Sequence, residues 1–238
     1  MIETIDPGAI GTAGPGGAGN GWPGESPSTP AGVADVLARL RPAADAHRRG
    51  AGAGPVNGLL AGLAGAVGRL PGPDAEFGCT LVVELARRYL EAVRGHGRGT
   101  AVPRVWQVVL DAWTGDVPAG RIALAGAHAL AGLDLPPAVV STCTLLGRVP
   151  GPAERGDLET VVGLLSGLAC DSARNDPDDA TADGVRGLES LLTRGESWRQ
   201  AEHLWSVRGR PTEAERDRDA LDWRATLVAR GVLGAAAG

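Results

Sequence analysis

An all-α bundle of about eight helices is the fold this sequence predicts, and three observations carry it. Apolar residues recur at three- and four-residue steps through most of the chain after residue 30. No stretch alternates apolar and polar residues over the length of a strand. Proline and glycine separate the periodic segments, as short helix–helix turns require.

Residues 1–30 stand apart from this pattern. "PGAIGTAGPGGAGNGWPGESPSTP" is dominated by glycine and proline, lacks an apolar period and reads as a disordered leader, with Trp22 its single aromatic residue. Residues 31–238 then form one all-α domain. Ser28 or Thr29 ahead of Pro30 signals the first helix, with Val33, Val36, Leu37 and Leu40 on one stripe up to Pro42. In "PVNGLLAGLAGAVGRL" (55–70), Leu59, Leu60, Leu63, Val67 and Leu70 keep helical spacing. Gly58, Gly62, Gly65 and Gly68 lower its intrinsic helicity, so this helix depends on its neighbours and allows them close. The clearest helix is 74–93, where Phe77, Leu81, Leu85 and Tyr89 oppose Glu84, Arg87, Arg88 and Glu91. Residues 103–113 follow with Pro103 in the first turn, then 121–133, then a helix from Asp134 to Gly147. Residues 156–173 give another amphipathic helix, ended by the polar run "RNDPDDATADG". Two last helices cover 185–209, with a break near Gly195, and 213–233.

Composition excludes several function classes. The 238 residues suffice for one generous domain. A formal net charge of −5 argues against a nucleic-acid partner, which needs a basic face. All 23 basic residues are arginine, a high-GC coding bias of the kind found in actinobacteria. Cys79, Cys143 and Cys170 are widely spaced in apolar contexts and read as buried, reduced thiols. No run reaches about 18 apolar residues and the N-terminus lacks the plan of a secretory signal, which predicts no membrane association and a cytoplasmic protein. There is no HExxH, CxxC, P-loop, GxSxG or GxGxxG opening a βα unit, and the run Asp176, Asp178, Asp179, Asp183 lacks the glycine and terminal glutamate of a calcium loop and reads as a solvated linker. No metal and no cofactor are expected.

Two polar residues interrupt the apolar run "RIALAGAHALAGLDLPPAVV" (121–140). Asp134 precedes Leu135-Pro136-Pro137, where a side-chain acceptor caps the next helix. It lies six residues from His128, roughly 600° around a helix, so the two share no face. The helical neighbours of His128 are Leu124, Ala125, Ala131 and Gly132, mostly small, which leaves room beside the imidazole for another helix or a ligand. A buried, neutral imidazole suits proton transfer, and a satisfied core histidine is the competing reading. Farther on, Arg194, Trp198, Ala201, Trp205 and Arg208 recur at steps of four and three, which is one face if the helix is continuous through Gly195. Indoles flanked by guanidiniums can hold an aromatic or anionic molecule, or simply pack while the arginines reach outward. Trp106 and Trp113, seven apart, carry the same ambiguity.

Three segments resemble the actinobacterial family known as domain of unknown function 5995. "VNGLL" (56–60) is similar to its Phe-Asn-x-x-Tyr segment, and "IALAGAHALAGLDLPPAVVSTCTLLG" (122–147) to its hallmark, F-A-L-A-G-M-N-A-H-I-N-x-D-L-P followed by A-[LV]-V-x-T-C-x-x-L-G. "RGESWRQAEHLW" (194–205) resembles its R-x-x-x-W-x-x-A-x-x-L-W segment and is followed by "LDW" (221–223). The resemblance spans about residues 33–234 and implies a helical fold without a settled activity. The departures are informative: family Asn, His and Asn fall at His128, Leu130 and Gly132, and a family Asp and Asn at Val82 and Arg87. A polar cluster has become mostly apolar, so no family role is carried over to Leu130, Gly132 or Val82.

Together these readings predict a cofactor-independent enzyme of specialised metabolism, of cyclase, isomerase or lyase type, acting on a small, largely apolar substrate. His128 is its expected general acid/base, Trp106, Trp113, Trp198 and Trp205 its pocket walls, and Arg194 or Arg208 the group orienting an oxygen or carboxylate. The alternative is a non-catalytic carrier or partner protein of the same fold. The oligomeric state is not specified by the sequence.

Overall fold

The computed structural model describes residues 32–35, 38, 40, 54–70, 75–174, 179–193 and 195–234, and from Gly54 onward these form nine α-helices and one π-helical turn. No strand occurs among the described residues. The expected disordered leader, residues 1–30 with Trp22, lies outside them, as does Arg194. Residues 32–35, 38 and 40 are helical, with Val33 and Leu40 buried as their stripe predicts. The helices are α1 (Gly54–Val67), α2 (Ala75–Gly97), α3 (Arg104–Ala112), α4 (Ala119–Ala129), α5 (Leu135–Leu145), α6 (Pro152–Ala173), α7 (Asp179–Thr193), α8 (Glu196–Val207) and α9 (Pro211–Leu233).

The run of small and apolar residues that contains His128 is the central strut. α4, the π turn Leu130–Asp134 and α5 join into one rod from Ala119 to Leu145. By length and composition the rod would cross a membrane, yet nearly all of its most apolar window is buried inside the protein, as befits a core helix. α4 packs against α9, α6, α1, α7 and α3, and α5 against α8 and α2. Small side chains on the rod make this crowding possible. At Gly126 a Cβ would lie 2.4 Å from Val56 Cγ2, so α1 touches the rod at its backbone.

The π turn follows from the two prolines. Pro136 and Pro137 have no N–H, so the rod cannot keep its α-helical ladder past residue 131. Leu135 N–H bonds instead to the Leu130 carbonyl, five residues back, and the extra residue is absorbed there. Ala131, which would have received that N–H in an α-helix, accepts the Ser197 hydroxyl from α8 at 2.9 Å.

One helix start is capped from across the sequence. Pro103 precedes α3 and has no side-chain acceptor, leaving the first N–H groups of the helix unsatisfied. Asp222 of α9, in the "LDW" segment, supplies the carboxylate: its oxygens accept Arg104 N–H at 2.8 Å and Val105 N–H at 3.0 Å. Asp222→Ala is expected to cost about 1–2 kcal/mol by urea unfolding, and Asp222→Asn, which retains an acceptor, less.

Elsewhere the element boundaries correct the sequence reading. α7 begins at Asp179, inside the acidic run expected to be a linker. Its hydrophobic members Val185 and Leu188 pack on the core, while Asp183 faces solvent and pairs with Arg186 one turn on. The charge here marks the exposed face of a helix rather than a loop. The suspected break near Gly195 is real: α7 stops at Thr193, and Gly195 takes φ +62° before α8. Cys79 and Cys143 are buried free thiols, while Cys170 is only half-buried.

Candidate functional site

His128 is carried on the last turn of α4, one residue row above Gly132 and Pro136 on the same face of the rod. That row forms one wall of an open cavity of about 330 Å³ bounded by the rod, α7, α8 and α9. Leu191, Leu221 and Ala225 supply apolar walls; Ser197, Gln200 and Glu196 line the α8 side; exposed Arg224 and Val228 stand at the mouth.

Two glycines of α7 bring the opposite wall to the imidazole. A Cβ on Gly184 would sit 2.6 Å from Leu124 Cδ2 and 2.9 Å from Val232 Cγ2, so only glycine lets the backbone come this near. His128 Nε2 thereby lies 2.9 Å from the Gly184 carbonyl oxygen. A carbonyl only accepts, so Nε2 carries the proton and, in the neutral ring, Nδ1 holds a lone pair. Gly187, one turn on, leaves its missing side chain next to Cε1. Nδ1 is buried without a hydrogen-bond partner, and the residue is 2% exposed. Burial lowers the imidazole pKa below its ordinary 6.5, with the Gly184 contact acting weakly the other way. The ring is therefore neutral at pH 7.

Asp134 belongs to a different cluster, on the far side of the rod. It occupies the N-cap position of α5, but its side chain makes no capping bond. The expected cap is corrected for a physical reason: the rod runs on through the π turn, so no free helix end exists for a carboxylate to cap. Asp134 Oδ2 instead accepts Trp106 Nε1–H at 2.9 Å. Burial pushes its carboxyl up to about 7, opposed chiefly by the nearby Arg88 guanidinium and then by the Trp106 hydrogen bond. Arg88 donates to Ser141 Oγ at 2.9 Å and more weakly to the Pro137 carbonyl at 3.3 Å.

The four tryptophans do not assemble around His128. Trp106 is buried edge-to-face against Tyr89, with centroids 5.2 Å apart, and Trp113 flanks the same ring at 6.5 Å. Trp198 is buried in the core of α8. Trp205 is half-buried, with the Arg208 guanidinium 4.0 Å above its ring and bonded to its carbonyl, so that pair satisfies itself on the surface. None of the four, nor Arg208, lines the cavity. The break at Gly195 starts α8 at Glu196, so the expected stripe is continuous only from Trp198 to Arg208.

The cavity residues that sequence reasoning missed come from α7, α8 and α9: Gly184, Gly187, Ser197, Gln200 and Arg224. Glu196 binds three neighbours at the mouth, taking Gln200 Nε2–H at 2.9 Å and Arg199 at 2.5 Å, with Arg224 at 3.8 Å. The Gln200 hydrogen bond, with Arg199 assisting, holds its carboxyl below the usual range. A second hollow of similar volume lies between α1, α4 and α6, lined by Gly58, Leu59, Ala123 and Leu168 among others, and contains no titratable side chain. Among the described residues no three His, Cys, Asp or Glu side chains gather as a metal-ligating group.

An all-helical domain with a cavity against a buried core imidazole is the class of protein this geometry defines. The chain belongs to the family of unknown function DUF5995, whose model matches residues 33–235. No curated protein and no solved structure matches it. Of the hallmark positions singled out in the sequence, His128 and Gly132 line the cavity, whereas Leu130 and Val82 are buried in the core.

Proposed function

We propose that this protein is a cofactor-independent enzyme of specialised metabolism that moves a proton within a small, largely apolar substrate, as an isomerase, cyclase or lyase does. The observation that carries the reading is His128: a neutral imidazole anchored at Nε2, unpartnered at Nδ1, on the wall of a 330 Å³ cavity. An apolar cavity of about 150 Å³ holds benzene, so this one suits roughly a dozen non-hydrogen atoms.

The chemistry needs no further titratable group. Nδ1 takes a proton from the substrate, and the ring becomes an imidazolium whose Nε2–H still points at the Gly184 carbonyl oxygen. That bond strengthens as the ring gains charge, which offsets part of the cost of charging a buried group. The same proton then returns to a second atom of the substrate in an isomerisation or ring closure, or leaves with the departing group in an elimination.

The test is incubation with a small-metabolite extract of the source organism in D2O, followed by mass spectrometry. The wild type should convert or deuterate at least one compound of the stated size. His128→Gln, which keeps a polar side chain but no base, should lower that rate by about 10²–10⁴-fold. Below the depressed imidazole pKa the rate should fall, because protonated Nδ1 has no lone pair; above it the rate should be flat. Unaltered turnover in the variant sinks the assignment. The alternative carrier reading predicts retention of a compound without conversion.

A further inference from the structure

Each wall of the cavity is one helix face, and the α9 face carries a cation. Leu221, Arg224, Ala225 and Val228 recur at steps of three, one and three, a single row of α9, and all four line the cavity. Arg224 is the one polar member of that row and is exposed at the mouth. The other charged residue of the lining is Glu196, which opens α8. The two stand 3.8 Å apart, an ion pair too long for a hydrogen bond. Glu196 is already satisfied within its own helix: Oε1 accepts from Gln200 at 2.9 Å and Oε2 from Arg199 at 2.5 Å. Its charge is offset further by the positive N-terminal end of α8, where it is the first residue. Arg224 makes no hydrogen bond among the described residues, so its guanidinium keeps its N–H donors for another partner. With His128 neutral, two arginines against one glutamate leave the mouth positive.

We infer that the cavity takes a small apolar monocarboxylate, its carboxylate held by Arg224 at the mouth and its apolar body against Leu191, Leu221 and Ala225. The inference rests on the proposed role of this cavity as a substrate site and names the substrate class for it. A guanidinium offers two parallel N–H groups to a carboxylate, which fixes the orientation of the ligand as well as its affinity. The charged end stays hydrated at the rim, so only apolar surface has to leave water. The orienting role expected of Arg194 or Arg208 falls to Arg224.

Three probes of matched shape test it on the full chain by calorimetric titration: 2-naphthoate, 2-naphthamide and 2-naphthamidine, an anion, a neutral amide and a cation. They should bind in that order, with 2-naphthoate at least about tenfold tighter than the amide. Arg224→Gln should abolish this preference while leaving the affinity for 2-naphthamide within about twofold of wild type, because the residue is exposed and its loss disturbs no packing. Arg224→Lys keeps the charge without the planar fork and should retain part of the preference. Equal binding of naphthoate and amide, tightest binding of the amidine, or a preference that survives in Arg224→Gln overturns the carboxylate inference and leaves the cavity a ligand site. Failure of all three probes to bind overturns the proposed substrate site and the inference with it.

Discussion

Asp134→Asn should make the protein more stable than wild type above pH 7 and leave it close to wild type near pH 4. The sign follows from the raised carboxyl. In the folded protein it titrates near 7, against 3.8 for an ordinary aspartate. Between those values the folded state holds a proton that the unfolded chain has released, so stability falls as pH rises through the interval. The stabilisation is fully present below about 3.8 and lost once the folded-state carboxyl ionises. A group shifted by one unit contributes about 1.4 kcal/mol, so the difference between variant and wild type should change by on the order of 4 kcal/mol from pH 4 to pH 8.

Three charged groups shape this titration: Arg88 opposes the shift, and Asp222 and Glu91 add to it. Asparagine keeps an oxygen that can accept Trp106 Nε1–H, so the comparison isolates the charge from the hydrogen bond. Urea unfolding of both proteins across that pH range is the measurement. Parallel curves would mean that Arg88 keeps the carboxylate ionised throughout, and the raised value would be wrong. Asp134→Ala adds a different penalty, because Trp106 Nε1–H then has no acceptor in a buried site; about 1–3 kcal/mol should be lost at every pH.

The fold was legible where burial imposes a helical period and obscure where distant residues solve a local problem. α2 is readable because Phe77, Leu81, Leu85 and Tyr89 leave one face for the core and charges for the other. His128 stood out because its neighbours at three and four residues are too small to fill the space beside it, and the cavity is that space. The rest of its lining comes from α7, α8 and α9, and no local pattern links Gly184 or Ser197 to residue 128. The π turn does have a local signal: two adjacent prolines inside an apolar helix each orphan the carbonyl four residues back. The bond from Trp106 to Asp134 spans 28 residues and the helix that Asp222 caps begins 118 residues earlier, so neither role has a local signal in the sequence. The tryptophan stripe is a real helix face, since Trp198, Ala201 and Trp205 share α8, but it faces the core and the surface rather than the cavity, and the left-handed Gly195 starts that helix after residue 194.

Gly126→Ala should lower stability by about 2 kcal/mol or more, although alanine is the better helix former. Two effects oppose each other. Replacing a mid-helix glycine favours the helix by up to about 1 kcal/mol. The added methyl, however, would stand 2.4 Å from Val56 Cγ2 and 3.3 Å from Val56 Cβ. Val56 is a fully buried β-branched residue on α1, so it cannot rotate its methyl away as a long side chain would. α1 and α4 must therefore separate, and overpacking of this kind costs about 1–3 kcal/mol, sometimes more. For a domain of this size the loss should appear as a fall in Tm of roughly 4–8 °C. Removing the obstruction should reverse the order of stabilities. Val56→Ala alone is destabilising because it opens a void, but combined with Gly126→Ala the new methyl fills part of that void. The double variant should be more stable than Gly126→Ala alone, with a favourable coupling of about 1 kcal/mol or more in a thermodynamic cycle. Additive losses would mean that the two helices do not meet at these residues, and the close packing of α1 on the central rod would be misplaced.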